Sequence, residues 1–419
     1  MLSFYWTTGA YVCGLHITAQ AVLFIAERSG IIRHVLYAYE IETMKRFTKV
    51  SQFMLIAGSL CVALCGCERK QVAEDQDFSI PSLRKAAERG SATAQNSLGS
   101  EYRFGWRVEK NYAEAVKWFR KAAEQGDADA ENSLGFCYYY GRGVEKNYAE
   151  AVKWFRKAAE QGDASAQASL GDAYWSGEGV PRNSAEAVKW FRKAAEQGDG
   201  GAQASLGVAC NLGEGVTKDD VEAVKWFRKA AEQDFAGAQY NLALCLRDGE
   251  GVSQDYVEAG KWLRKAAEHG LAVAQNDLAV CLGKGVGVSQ DHAEAVKWFR
   301  KAAEQGAAIA QYNLATSFRD GEGVPRDFVE AVKWYRKAAD QGNADAQYNL
   351  GAQYANGRGV AQNDIEAYKW ISLALAQGNE DEKLDKQLAK SKEAVAQRMS
   401  RAEIAEAQRR AAAFVPRPE

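Results

Sequence analysis

The sequence predicts an all-α fold, an α-solenoid of eight helix-turn-helix repeats of 36 residues with helical caps. Three observations lead to this prediction. Eight tryptophans stand 36 residues apart, and a leucine and a valine recur with the same period. Within each period the apolar residues have helical spacing, and glycines separate the helical stretches. The tryptophans are Trp118, Trp154, Trp190, Trp226, Trp262, Trp298, Trp334 and Trp370.

The repeat at 127–162 shows why each element is expected. Its first helix is predicted over 128–140, where small and apolar residues such as Ala130 and Leu134 form one stripe. Glycines follow at 141 and 143, and glycine suits the left-handed backbone at the end of a helix. The second helix is predicted over 148–161, with an apolar stripe of alanines and aromatic residues. The eight repeats are placed at 91–126, 127–162, 163–198, 199–234, 235–270, 271–306, 307–342 and 343–378.

This pattern resembles the Sel1-like repeat, a relative of the tetratricopeptide repeat. The resemblance rests on three motifs: A-x-A-Q-x-x-L-G, then G-x-G-V, then E-A-V-K-W-F-R-K-A-A-E-Q-G. Two positions depart from it, since Arg107 replaces the second turn glycine of the first repeat and Asp234 replaces the last glycine of the fourth. We expect both to loosen a turn without interrupting the array.

The segments on either side of the repeats are predicted to be caps, because the open ends of a solenoid need covering. Residues 83–90 match the end of a second helix, so 68–90 is interpreted as a linker and an N-terminal capping helix. The segment 380–413 has an amphipathic helical pattern with a capping box at Ser400. Residues 379–419 are therefore interpreted as C-terminal capping helices and a tail, which we expect to be frayed from Phe414.

The front of the chain reads as a targeting signal. Residues 44–67, MKRFTKVSQFMLIAGSLCVALCGC, combine a basic start with a short apolar run. The run is shorter than the roughly 20 residues of a membrane span. Its end resembles a bacterial lipobox, which implies a lipid on Cys67; ordinary cleavage nearby and an uncleaved anchor are the alternatives. Residues 1–43 are interpreted as an upstream extension from a misplaced start, with a membrane-embedded helix around 9–26 as the alternative.

Charge and cysteines argue against several functional classes. After Cys67 there are 48 basic and 52 acidic residues, a net charge of −4, without the basic stripe of a nucleic-acid-binding protein. Four further cysteines follow, at most one in each repeat, so no disulfide is predicted within a repeat. We interpret Cys137, Cys210, Cys245 and Cys281 as core thiols.

Candidates for catalysis and metal binding are weak. His269 and His292 have no ligand set at metal-binding spacing, so neither a metal nor a cofactor is predicted. Ser82 to Lys85 matches S-x-x-K, and some cysteine-rich Sel1-like proteins have been described as β-lactamases. No S-D-N or K-T-G accompanies this match, so no catalytic residue is assigned.

Positions that differ between the repeats indicate where a ligand would bind. The sixth, tenth and thirteenth positions vary most, and their i, i+4, i+7 spacing places them on one face of the first helix. The resemblance implies that this face is concave. Aromatic and arginine side chains anchor interfaces. The predicted partner-binding residues are Phe136, Tyr139, Trp175, Tyr240, Leu244, Arg247, Tyr312 and Arg319.

The sequence therefore predicts a non-enzymatic, monomeric scaffold of the bacterial cell envelope. It would face the periplasm from a lipid anchor, in the outer membrane or the inner one, and bind a protein or peptide. A glycan- or peptidoglycan-binding protein is one alternative, because Tyr139 and Trp175 suit stacking on sugar rings. A β-lactamase-like hydrolase acting through Ser82 is the other.

Overall fold

The computed structural model describes residues 79–378 and 382–417, and over these ranges the chain forms nineteen α-helices and no strand. The predicted all-α repeat fold is confirmed. The helices belong to two compact units, one with residues 79–183 and one with residues 184–378 and 382–417.

The first unit contains a short leading helix and the helices of two full repeats and half of a third. Each helix packs against the next along the chain. Phe119, Leu134 and Phe155 are at most 1% exposed between the helices, and complete burial of such a side chain contributes roughly 1.5–3 kcal/mol. The helices are α1 (Ile80–Glu88), α2 (Ala92–Phe104), α3 (Tyr112–Ala123), α4 (Ala128–Tyr140), α5 (Tyr148–Glu160) and α6 (Ala164–Ser176).

The second unit continues the same alternation and ends in two further helices. Its helices are α7 (Ser184–Glu196), α8 (Gly200–Leu212), α9 (Asp220–Glu232), α10 (Ala236–Asp248), α11 (Tyr256–Glu268), α12 (Ala272–Lys284), α13 (His292–Glu304), α14 (Ala308–Asp320), α15 (Phe328–Asp340), α16 (Ala344–Asn356), α17 (Asp364–Ala376), α18 (Glu382–Ala396) and α19 (Arg401–Ala412).

The last two helices pack on the end of the repeats. Both α18 and α19 contact α17, and the capping box at Ser400 is formed. The expectation of a frayed tail from Phe414 is wrong as far as residue 417. The Phe414 ring packs edge-on against Trp370 at 5.4 Å, and the backbone N–H of Arg417 donates to Asp340 O at 2.8 Å.

The second turn glycine is required by a close approach between repeats. Gly143 has φ +72°, and a Cβ there would lie 2.3 Å from the carbonyl oxygen of Tyr112 at the start of the preceding second helix. In the first repeat the same position is Arg107. The residue that corresponds to Tyr112 one repeat earlier is 76, which lies outside the described residues. Arg107 instead pairs with Glu101, with Nε 2.9 Å from Oε1.

The Asp234 substitution places an ordinary side chain in a glycine conformation. Asp234 has φ +64°, the only positive φ of a non-glycine residue in the described ranges. Such a conformation strains a residue with a Cβ by about 1 kcal/mol. We therefore expect Asp234→Gly to raise the free energy of unfolding by up to about 1 kcal/mol in chemical denaturation. Asp234→Ala keeps the Cβ and is the control; an equal gain in both variants would contradict this explanation.

Buried glutamines join neighbouring repeats and account for both glutamines of the motif. Gln167 Nε2 donates to Ala159 O at 3.1 Å, and the same bond to the preceding second helix recurs through the second unit. In six repeats a glutamine near the end of the second helix then donates to the buried side chain, as Gln161 does to Glu131 at 2.7 Å, and in the fifth repeat His269 takes this position beside Gln239. Glu131 stands where the other repeats have glutamine, and burial raises its pKa.

Candidate functional site

In the first unit, the predicted residues lie on a half-buried aromatic surface. The Phe136 ring meets the Phe155 ring edge-on at 5.1 Å, which holds Phe136 on the core. Tyr139 packs edge-on against Tyr148 at 5.0 Å, and its hydroxyl donates to Glu178. Burial is the largest cause that raises the pKa of Tyr139, so this hydroxyl stays protonated at neutral pH. Trp175 is also half-buried.

In the second unit, two of the predicted contact residues are buried. Tyr240 is 2% exposed and Leu244 is 4% exposed. The Tyr240 hydroxyl donates to Asp277 Oδ2 at 2.8 Å, which joins the first helices of two successive repeats. Placing these two side chains on an open, partner-facing surface is therefore incorrect. Their variation between repeats reflects packing between repeats, because a buried side chain cannot touch a partner unless the core opens.

The other three predicted residues of this unit are half-buried. Arg247 is held by Asp248 through two hydrogen bonds of 2.8 Å, and these raise its pKa. Arg319 pairs with Asp320 in the same way and also donates to Asn349 Oδ1 at 2.8 Å. Tyr312 lies 5.9 Å from the ring of Tyr335. Because each arginine is already neutralised by its neighbour, this face is better suited to polar and aromatic contacts than to capture of an anion.

The first unit also contains a surface that the sequence comparison missed. Trp106 is 55% exposed and stacks on Phe104 with ring centroids 4.5 Å apart. The guanidinium of Arg103 lies 5.0 Å from the Phe104 ring and 6.0 Å from the Phe136 ring. Trp106 lies outside the 36-residue series of tryptophans, and this departure from the repeat is the signal that could have identified it.

The same surface continues around a shallow recess. Arg142 lies over Tyr140 at 4.9 Å and over Tyr112 at 5.7 Å. The side chains around the recess are Arg103, Tyr112, Phe136, Cys137, Tyr140 and Arg142. We call the surface formed by Arg103, Phe104, Trp106, Lys110, Tyr112, Phe136, Tyr140, Arg142, Lys146 and Tyr148 the turn patch.

The cysteines of the repeats are free thiols. Cys137, Cys210 and Cys245 are buried and Cys281 is half-buried. Burial raises the pKa of Cys137 and of Cys210 to about 11, so these thiols are poor nucleophiles at neutral pH. The interpretation as core thiols agrees with these positions.

Neither a metal site nor a membrane span is found in the described part of the chain. Over residues 79–378 and 382–417, no three His, Cys, Asp or Glu side chains are grouped so that they could hold a metal ion. Within the same ranges, every helix is too short or too polar to cross a membrane. Ser82, the serine of the S-x-x-K match, lies in the first turn of α1. Its backbone N–H donates to the hydroxyl of the N-cap residue Ser79 at 3.4 Å. The predicted lipidation site Cys67 lies outside the described residues.

Pairs of antiparallel helices that follow one another along the chain define a repeat scaffold. Comparison with known protein families identifies the class of this scaffold. The sequence profile of the Sel1 repeat matches eight stretches that cover most of the chain, and the chain belongs to this family. Sel1 repeats generally mediate interactions between proteins, and such scaffolds are typically non-catalytic. The matched residues are 92–127, 128–163, 164–199, 201–235, 236–271, 272–306, 308–343 and 344–379.

Solved structures of two bacterial proteins are similar to this chain. A Sel1 repeat protein from Oxalobacter formigenes is 33% identical, with a TM-score of 0.55, and the match covers 78% of this chain and 98% of that one. A protective antigen present in uropathogenic Escherichia coli strains is 32% identical over 81% of this chain and 87% of its own, with a TM-score of 0.43. No curated protein matches the sequence.

Proposed function

We propose that this protein is a non-enzymatic adaptor of the bacterial cell envelope. A lipid on Cys67 anchors it in a membrane, and the first helices of its repeats bind a partner protein. The observation that carries the proposal is the contrast between two sets of positions on those helices. Leu134 and Leu314, which are constant between repeats, are completely buried, whereas Trp175 and Tyr312 lie at positions that vary and stay half-buried, unlike the varying but buried Tyr240 and Leu244.

The composition of this face supports a protein as the ligand. Half-buried aromatic and arginine side chains recur in both units, and these residue types supply most of the binding energy at protein interfaces. They are held in place by the fold, as Arg319 is by Asp320 and Asn349, so little conformational entropy is lost on binding.

Photo-crosslinking in cells tests the adaptor function. A photoreactive amino acid is placed at Trp175 or Tyr312, and at Lys153 as the control, whose side chain is 67% exposed on a second helix. We expect one protein to be captured from the first two positions and not from Lys153. Equal capture, or none, at all three positions would reject the first-helix face. Capture of cell-wall material in place of a protein would favour the glycan-binding alternative.

The anchor has a separate test. We expect Cys67→Ala to abolish incorporation of a labelled fatty acid and to release the protein from the membrane fraction. Cys65→Ala is the matched control and should stay membrane-bound. Unchanged labelling in the Cys67 variant would show that the lipid, if there is one, is attached elsewhere.

A further inference from the structure

We propose that the turn patch docks on the surface of an anionic membrane and so fixes the orientation of the anchored protein. This inference rests on the proposed envelope location. The turns of the first two repeats would contact the membrane, whereas the first helices would bind the partner protein.

The charge of the patch differs from that of the later turns. The stretches 103–112 and 140–148 contain five basic residues and two acidic ones, and one of the five, Arg107, is paired with Glu101 outside these stretches. The position after the first turn glycine is Trp106 in the first repeat, where Arg107 replaces the second glycine, and Arg142 in the second repeat. Glutamate occupies the same position in four of the six later repeats, at Glu178, Glu214, Glu250 and Glu322. The basic turns are therefore those of the first two repeats, which follow the proposed anchor in the chain.

The cations of the patch are arranged among aromatic rings. Lys110 lies 4.8 Å from the Tyr112 ring, and Lys146 lies 4.3 Å from the Tyr148 ring. Among the described residues, Arg103 makes ring contacts and no ion pair. Tryptophan and tyrosine are enriched where proteins meet the headgroup region of a bilayer, and basic side chains there attract anionic lipids.

The position of the patch along the chain supports a membrane over another ligand. Residues 68–78 separate Cys67 from the first described residue, and eleven extended residues span at most about 40 Å. A lipid on Cys67 would therefore keep the first repeats near the bilayer. The lipid limits only the distance between the first repeats and the bilayer, and a basic surface can add a contact that fixes their orientation. The patch supplies cations and an exposed tryptophan for that purpose.

Crosslinking to lipid tests the proposal. The full chain is purified with a photoreactive amino acid at Trp106, or at Val286 as the matched control. Val286 occupies the same turn position in the sixth repeat and is 37% exposed. Each protein is reconstituted with vesicles of phosphatidylethanolamine and phosphatidylglycerol, or of phosphatidylcholine alone, and lipid adducts are quantified by mass spectrometry. We expect adducts at Trp106 that depend on phosphatidylglycerol, and few at Val286.

Charge variants separate docking from folding. Arg103→Gln combined with Arg142→Gln should lower the adduct yield at Trp106 about tenfold. The same two positions changed to lysine should restore it, since the charge is retained. Equal yields at Trp106 and Val286, no dependence on phosphatidylglycerol, or capture of a protein from Trp106 in cells would each overturn the proposal. None of these results affects capture from Trp175 and Tyr312, so the adaptor function is tested independently.

Discussion

Replacing Gly143 with alanine is expected to lower the free energy of unfolding by about 3 kcal/mol or more. Two costs combine at this residue. Its φ of +72° is unfavourable for any residue with a Cβ, and the added atom would lie 2.3 Å from Tyr112 O and 2.4 Å from Tyr112 C. The overlapping atoms are backbone atoms of the preceding repeat, so relief requires the two repeats to separate. Thermal and urea unfolding followed by circular dichroism measures the loss.

Gly162 is the matched control for this substitution. It also has a positive φ, +98°, but no atom lies within 4 Å of the position that its Cβ would take. Gly162→Ala should therefore cost only the backbone strain, about 1–2 kcal/mol. A similar loss in the two variants would mean that the close approach between repeats contributes nothing.

Changing Glu131 to glutamine is expected to stabilise the protein by about 1 kcal/mol or more at neutral pH. Glu131 is 3% exposed and accepts a hydrogen bond from Gln161. An ionised carboxylate has no N–H to donate to the preceding second helix, as Gln167 donates to Ala159. Glutamine would restore that bond and remove a buried charge. Gln167→Glu is the reciprocal change, and it should destabilise the protein by about 1–3 kcal/mol.

The Glu131 effect should depend on pH. Burial raises the pKa of the folded protein's Glu131 above its ordinary value of 4.5. The folded state therefore holds this proton more tightly than the unfolded state does, and the wild type loses stability as pH rises through the folded pKa. The advantage of Glu131→Gln should be largest at neutral pH and should shrink on acidification toward 4.5. An advantage that is constant over this range would contradict the role of the buried charge.

The fold could be predicted because the same apolar and glycine positions recur in eight repeats. Helix positions, turn glycines and buried alanines all follow from the period. The partner of one arginine in the second helix also follows from the identity of a single residue in the next repeat. In some repeats the twelfth residue is tyrosine, as Tyr174 is in the third. The guanidinium of Arg156, in the second helix of the repeat before, donates to the Tyr174 hydroxyl at 2.5 Å. In the fourth repeat the twelfth residue is Cys210, which has no hydroxyl. Arg192 of the third repeat therefore pairs with Glu222, at 2.7 Å.

The candidate site was only partly predictable, because variation between repeats does not distinguish surface from packing. Tyr240 and Leu244 vary as strongly as Trp175 does, yet they fill space between neighbouring repeats. Their environment depends on long-range packing that the sequence pattern leaves open. Trp106 was not predicted for a different reason. It lies in a turn, whereas the predicted contact residues were chosen from positions on the first helices.

Footprinting of the captured complex tests the adaptor function most directly. The unsubstituted protein is labelled with a short-lived carbene, alone and with the purified partner that crosslinking identified, and protection is read by mass spectrometry. The proposed function predicts protection of Trp175 and Tyr312 on the first helices, with Lys153 and Lys189 on the second helices labelled equally in both states. Protection of the two lysines with no change at Trp175 and Tyr312 would contradict it.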